Sequence, residues 1–181
     1  MNFMELAGSR RSVRDFSARK IARKDLDASV DAARLSPSAC NSQPWRFVII
    51  DDDGILEIIS KEAFSGLHKM NSFVRSAPAL IAIISESKKI VPKLGEFFQR
   101  TDYRLIDTGI ACQQIVLAAG SLGIGSCILG WFNEKELKKA LCVPREKKIE
   151  LVIALGYPRT NEFMERRLKD RTSTVSYNGY I

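Results

Sequence analysis

Two short clusters carry the residues best suited to chemistry. Arg10-Arg11-Ser12-Val13-Arg14 sets three guanidiniums and a hydroxyl within five residues. A guanidinium is a planar fork of N–H donors that matches phosphate oxygens, and hydrogen bonds to a charged group contribute roughly 1.5–3 kcal/mol each. Two or three of them would anchor an anion, although a solvated basic turn is the plainer reading of this cluster alone. The second cluster is Ser36-Pro37-Ser38-Ala39-Cys40-Asn41-Ser42-Gln43-Pro44-Trp45. Its prolines stiffen the chain, while Ser38, Asn41 and Gln43 offer donors and acceptors suited to the carbonyls and ring nitrogens of a heteroaromatic ligand. The competing reading is an elaborate turn whose polar side chains cap the backbone. Together the clusters point to a planar, polar cofactor with an anionic tail.

The elements that must position them follow from periodicity and punctuation. A short helix over residues 2–9 ends at Gly8, just before the arginines. Leu26, Val30 and Ala33 recur at helical spacing within 24–35, and Pro37 stops that helix. Residues 45–50 form an apolar, β-prone run closed by Asp51-Asp52-Asp53-Gly54. A helix over 55–64 follows, then a strand over 78–84 with no alternation, which predicts burial on both faces. The longest helix spans 103–121 and ends at Gly120 and Gly123. Residues 126–131 read as a strand or extended loop. Asn133 with Glu136 predicts a capping-box variant for a helix ending near Cys142, and 149–156 is a third core strand. The tail from Arg159 is polar and basic, with a β-prone stretch over 172–177. The expected fold is α+β, a central mixed sheet flanked by helices, in one domain over 1–181.

Composition narrows the function. The chain has 181 residues, 45% hydrophobic and 27% charged, with a net charge of +7, as expected for a single globular core. Basic residues are spread along the chain rather than gathered in one patch, and no nucleic-acid recognition motif occurs. Residues 1–11 lack the apolar stretch of a signal peptide. No apolar run reaches the about 18 residues of a membrane span. Cysteines 40, 112, 127 and 142 and the single His68 give no C-x-x-C pair and no zinc spacing. Free thiols and a cytoplasmic location are therefore expected. Gly120-x-x-Gly123-x-Gly125 follows a helix and precedes a strand, the reverse of a dinucleotide-binding turn. These glycines read as a helix terminus. Gly130, between Leu129 and Trp131, would instead let backbone approach a flat ligand. No P-loop or G-x-S-x-G is present.

The chain resembles the FMN-dependent nitroreductase family. The likeness rests on the two clusters, then on Ala77-Pro78, Asp107-Thr108-Gly109-Ile110-Ala111, Gly123-Ile124-Gly125 and Ala154-Leu155-Gly156-Tyr157-Pro158, in the family's order. The resemblance implies an intertwined homodimer with FMN at the interface and a C-terminal tail reaching over the partner. It implies that Arg10 and Ser12 hold the phosphate and ribityl chain, that Arg11 is a further cofactor-binding residue, and that Arg14 approaches the pyrimidine edge of the flavin. Pro37, Ser38 and Ala39 would come from the opposite subunit, with Asn41 and Gln43 lining the same loop. Backbone N–H groups of Ile128, Leu129 and Gly130 would face the ring, and Lys169 and Arg171 would close on the phosphate, in competition with Arg166 and Arg167. The implied activity is hydride transfer from NAD(P)H to a small oxidant such as a nitroaromatic or quinone, with no catalytic side chain. A flavin store or redox sensor, to which Cys40 lends slight support, is the alternative, as are the flavin-fragmenting and dehalogenating branches.

Overall fold

The computed structural model describes residues 2–86, 101–160 and 166–180; residues 161–165 of the expected tail lie outside it. Helix α1 (Phe3–Ser9) opens with a reciprocal cap: Asn2 Oδ1 accepts from the Glu5 N–H at 3.0 Å, and Glu5 Oε2 accepts from the Asn2 N–H at 2.9 Å. Helix α2 (Arg23–Arg34) buries Leu26, Ser29 and Ala33. Strand β1 (Trp45–Ile50) and helix α3 (Asp53–Glu62) follow. Helix α3 starts two residues earlier than its apolar pattern suggests, because Asp52 accepts from the Ile55 N–H at 2.9 Å and caps it. A 3₁₀ segment, Gly66–Ser76, occupies a stretch to which the sequence reading assigns no element.

Strand β2 (Ala79–Ser85), helix α4 (Tyr103–Ser121), strand β3 (Gly125–Leu129), helix α5 (Glu134–Ala140) and strand β4 (Lys148–Gly156) complete the core. At the end of α4, Gly123 takes φ +74°, so that its N–H reaches the Gly120 carbonyl at 3.0 Å while the Ile124 N–H reaches Ala119 at 2.9 Å. This is a left-handed glycine cap. Asn133 caps α5 through the Glu136 N–H at 3.3 Å. The expected return bond from Glu136 does not accompany it.

The strands lie in the order β1-β2-β4-β3. The expected mixed sheet is instead antiparallel at each of these pairs. Ile50 ends β1 opposite Leu80 near the start of β2, so the intervening chain leaves and returns at one end of the sheet and needs no crossover. Among the described residues a parallel relation enters only where Ser12 bridges Ser126. The β-prone tail contains a 3₁₀ turn, Arg171–Ser173, and its exposed residues find no strand to pair with among the described residues.

Strand β2 is buried throughout, as its lack of alternation implied. Leu80, Ala82 and Ile84 pack with Ile59, Phe64 and Leu137 on one face of the sheet; Ala79, Ile81 and Ile83 pack with Leu26, Cys112 and Ile115 on the other. Gly156 closes the core at the end of β4. A Cβ there would lie 2.7 Å from both Phe16 Cδ1 and Pro78 Cδ. Neither a buried ring nor a proline can swing aside, so Gly156→Ala is expected to lower unfolding stability by about 1–3 kcal/mol in urea titrations.

A candidate cofactor site at the two ends of one helix

The arginine cluster is held as a strand-like addition to the free edge of β3. The Val13 N–H donates to the Ser126 carbonyl at 2.9 Å, and Val13 and Phe16 are buried. Alternation then turns Ser12 and Arg14 outward, both exposed, beside the β3 edge that leads to Leu129 and Gly130. The backbone approach is close, since a Cβ on Gly125 would stand 2.7 Å from Val13 Cγ2. Ile128 and Gly130 are exposed, and Leu129 is buried.

This region is rich in positive charge and short of negative charge. Arg166 reaches in from the tail, donating to the Ala7 carbonyl at 3.4 Å and to the Arg10 carbonyl. Arg11 Nη1 donates to the Gly8 carbonyl at 2.7 Å, yet its Nε is buried with no partner. Burial holds the Arg10 guanidinium below its ordinary pKa, and the charges of Arg166 and Arg11 act in the same direction. Among the described residues no carboxylate forms an ion pair with Arg10, Arg11, Arg14 or Arg166. A cavity of about 140 Å³ lies against Arg10, Arg11, Gly123, Gly125 and Ser126. Unneutralised guanidiniums, a buried N–H without an acceptor and an adjoining hollow fit a phosphate group. Lys169 and Arg171 stand exposed, with Arg171 donating to the Tyr177 hydroxyl at 2.8 Å. The cationic neighbours that act on Arg10 are Arg166 and Arg11.

The second cluster is a loop under backbone strain. Cys40, Asn41 and Gln43 have φ of 52°, 51° and 45°. Left-handed backbone costs an L-residue roughly 1–2 kcal/mol, so such a run persists only where its surroundings dictate it. Here they do. Ser38 Oγ accepts from the Gln43 N–H at 2.9 Å, and the Asn41 N–H donates to the Ser38 carbonyl at 3.0 Å. Gln43 Nε2 donates to Asn41 Oδ1 at 3.1 Å. From α4, buried Asp107 accepts the Ala39 N–H on both carboxylate oxygens, at 3.2 and 3.1 Å, and the nearby Ser42 hydroxyl favours its charged form. Pro37 and Pro44 bracket the loop, Pro44 buried and Pro37 exposed.

Helix α4 touches both clusters, at opposite ends. Asp107 holds the loop, and Gly120 lines the cavity beside the arginines. Thirteen helical residues separate them, about 20 Å at 1.5 Å per residue. The strands agree: Trp45 pairs at the Ser85 end of β2, whereas Ser126 pairs with Leu155, at the Ala79 end. The sequence clusters are therefore each well formed, and one copy of the chain does not bring them together. Two wider clefts, about 580 Å³ between α3 and Gly66–Ser76 and about 890 Å³ beside α5, contain neither cluster. Their size does not outweigh the chemistry at the two clusters.

Three positioning features have partners that spacing does not reveal. Asp107 and Arg166, both singled out in the sequence, act across 68 and 156 positions. Trp131 Nε1 donates to the Leu67 carbonyl at 3.1 Å while Asn71 Nδ2 donates to the Trp131 carbonyl at 2.9 Å, tying the 3₁₀ segment to the residue after Gly130.

Comparison with known proteins identifies the arrangement. Residues 7–157 match the Nitroreductase family profile. A protein of Archaeoglobus fulgidus with the provisional name NADH dehydrogenase/NAD(P)H nitroreductase is 34% identical over 160 residues, covering 86% of this chain and 85% of that one. An iodotyrosine deiodinase of Thermotoga neapolitana is 28% identical, with 85% and 87% covered. The crystallised FMN-dependent nitroreductase of Clostridium difficile R20291 superposes with a TM-score of 0.76 at 25% identity, covering 98% of this chain and all of that one.

The charge imbalance predicts anion binding without any cofactor. Millimolar inorganic phosphate is expected to raise the melting temperature of the wild-type chain, and Arg10→Gln to remove most of that shift, as differential scanning fluorimetry would show.

Proposed function

This chain belongs to the nitroreductase family and is an NAD(P)H nitroreductase-family flavin oxidoreductase; from that premise we propose that it binds FMN between two copies of itself and reduces a nitroaromatic, quinone or similar acceptor. The observation that carries this reading is the separation of about 20 Å between the anion-ready arginines and the amide-bearing loop. A loop that cannot meet the arginines of its own chain is free to meet those of a second. The outer face of α4 supports such a pairing, because Leu105, Ile106 and Ile110 are 51%, 49% and 36% exposed around a bare Gly109. Leu35, just before the loop, is 87% exposed. Apolar side chains grouped in this way mark a surface that is covered in the assembled protein.

The residues fit the group. Arg10, Arg11 and Ser12, joined by Arg166, would hold the phosphate end, with Lys169 and Arg171 exposed farther along the tail. Arg14, exposed on the same edge, would offset negative charge on the pyrimidine side of the ring. Pro37, Ser38 and Ala39 of the second copy would contact the ring, with Asn41 and Gln43 beside them, and backbone N–H groups over 128–130 would meet it from the first. FMN, when bound, supplies hydride uptake from NAD(P)H and delivery to the acceptor in ping-pong order. The chain's own work is to orient that ring, to shield one side of it and to compensate its charge. Stacking geometry therefore governs the rate, and no acid–base side chain is assigned.

Dehalogenation of a halogenated phenol is a second reading, favoured by the Thermotoga relative named for iodotyrosine. Anaerobic turnover separates the two: menadione or a nitroarene against 3-iodotyrosine, each after NADH reduction.

The purified protein is expected to be yellow, to retain FMN and to bleach with anaerobic NADH. A chain that stays colourless after FMN is added overturns the proposal, and a yellow chain that turns over no acceptor points to a flavin store or sensor. Ile106→Glu is expected to shift the particle from dimer to monomer in light scattering and to abolish FMN retention together with it.

A further inference from the structure

We propose that Asp107 is the positioning residue of the ring-contacting loop: anchored on α4, its carboxylate sets the left-handed run Cys40, Asn41 and Gln43, and so fixes which amide groups the ring meets. The inference rests on the FMN reading above, which makes residues 37–43 the ring contacts. Asp107 is 4% exposed, and burial raises its carboxyl pKa, opposed by the bonds from Ala39 and Ser42. Those bonds fall on the residues on either side of the left-handed pair Cys40 and Asn41. The loop contains no glycine, so nothing intrinsic favours its shape. A charged acceptor that gathers the Ala39 N–H and the Ser42 hydroxyl supplies the missing constraint from outside. One consequence is chemical. With Gln43 Nε2 committed to Asn41 Oδ1, the Asn41 amide nitrogen and the Gln43 carbonyl oxygen remain for a ligand, one donor and one acceptor.

Asp107 would thus act through the loop and touch no reacting atom. Three readouts test this. Cys40 is exposed within the loop, whereas Cys112 and Cys127 are buried and burial pushes the Cys112 thiol up to about 12. In a Cys142→Ser background, alkylation at neutral pH therefore reports on Cys40 alone. Asp107→Asn is expected to speed Cys40 alkylation about tenfold, the scale of one lost charge-assisted bond, and to weaken FMN binding by a similar factor. In turnover, KM for the acceptor should rise more than kcat falls. Ser42→Ala should move all three readouts in the same direction by less, and it carries the test if Asp107→Asn does not fold. A lowered melting temperature with unchanged alkylation and unchanged FMN affinity would overturn the proposal, by reducing Asp107 to a packing role. If the wild-type chain takes up no FMN, the flavin reading fails, while the alkylation rates still decide whether Asp107 shapes the loop.

Discussion

The length of one helix governs what this chain can do. Helix α4 runs through the core with Ala111, Cys112, Ile115, Val116 and Ala119 facing inward, and it carries a ligand-facing feature near each end. Packing fixes its position, and its 1.5 Å rise fixes the separation. No local adjustment of the loop or the arginines removes about 20 Å of rigid helix. On the proposed pairing each copy would hold half of two sites, and the outward face of the same helix carries exposed apolar side chains that a second copy would cover.

The two clusters rest on different physics. At the arginine end like charges stand together with no carboxylate paired to them among the described residues, an electrostatic cost that an incoming anion would relieve. At the loop end the cost lies in backbone strain, and a buried carboxylate on a helix maintains it. On the proposed reading one end would attract the ligand, and the other would present a preset surface to it. Neither depends on a titrating catalytic group, which suits a reaction whose chemistry resides in a flat ring.

Much of this was legible in the sequence where local signals were strong. Strand β1 agrees residue for residue with the run between Pro44 and the Asp51-Asp52-Asp53-Gly54 turn, and α4 ends at its glycines as read. Helix α3 was displaced because a side-chain cap at Asp52 overrode the apolar pattern. Residues 66–76 were assigned no element, and their shape is supported by distant partners such as Trp131. The sheet was expected to be mixed, and only pairing partners reveal that the β1–β2 and β3–β4 connections each return at the end of the sheet they leave. The same divide runs through the site. Residue type disclosed the arginines and the amides, whereas Asp107 and Arg166 gain their roles from contacts 68 and 156 positions away, beyond the reach of any spacing rule.

Strand β2 has a consequence for the life of the chain before it is folded. Ala79-Leu80-Ile81-Ala82-Ile83-Ile84-Ser85 is uncharged, rich in β-branched residues and free of proline and glycine, the composition that seeds cross-β aggregation. Its neighbours in the finished sheet are β1, which is synthesised earlier, and β4, which emerges more than sixty residues later. During synthesis one edge of this segment therefore stays open until nearly the whole chain has left the ribosome. The central position that makes β2 the most protected strand at the end makes it the most aggregation-prone on the way there.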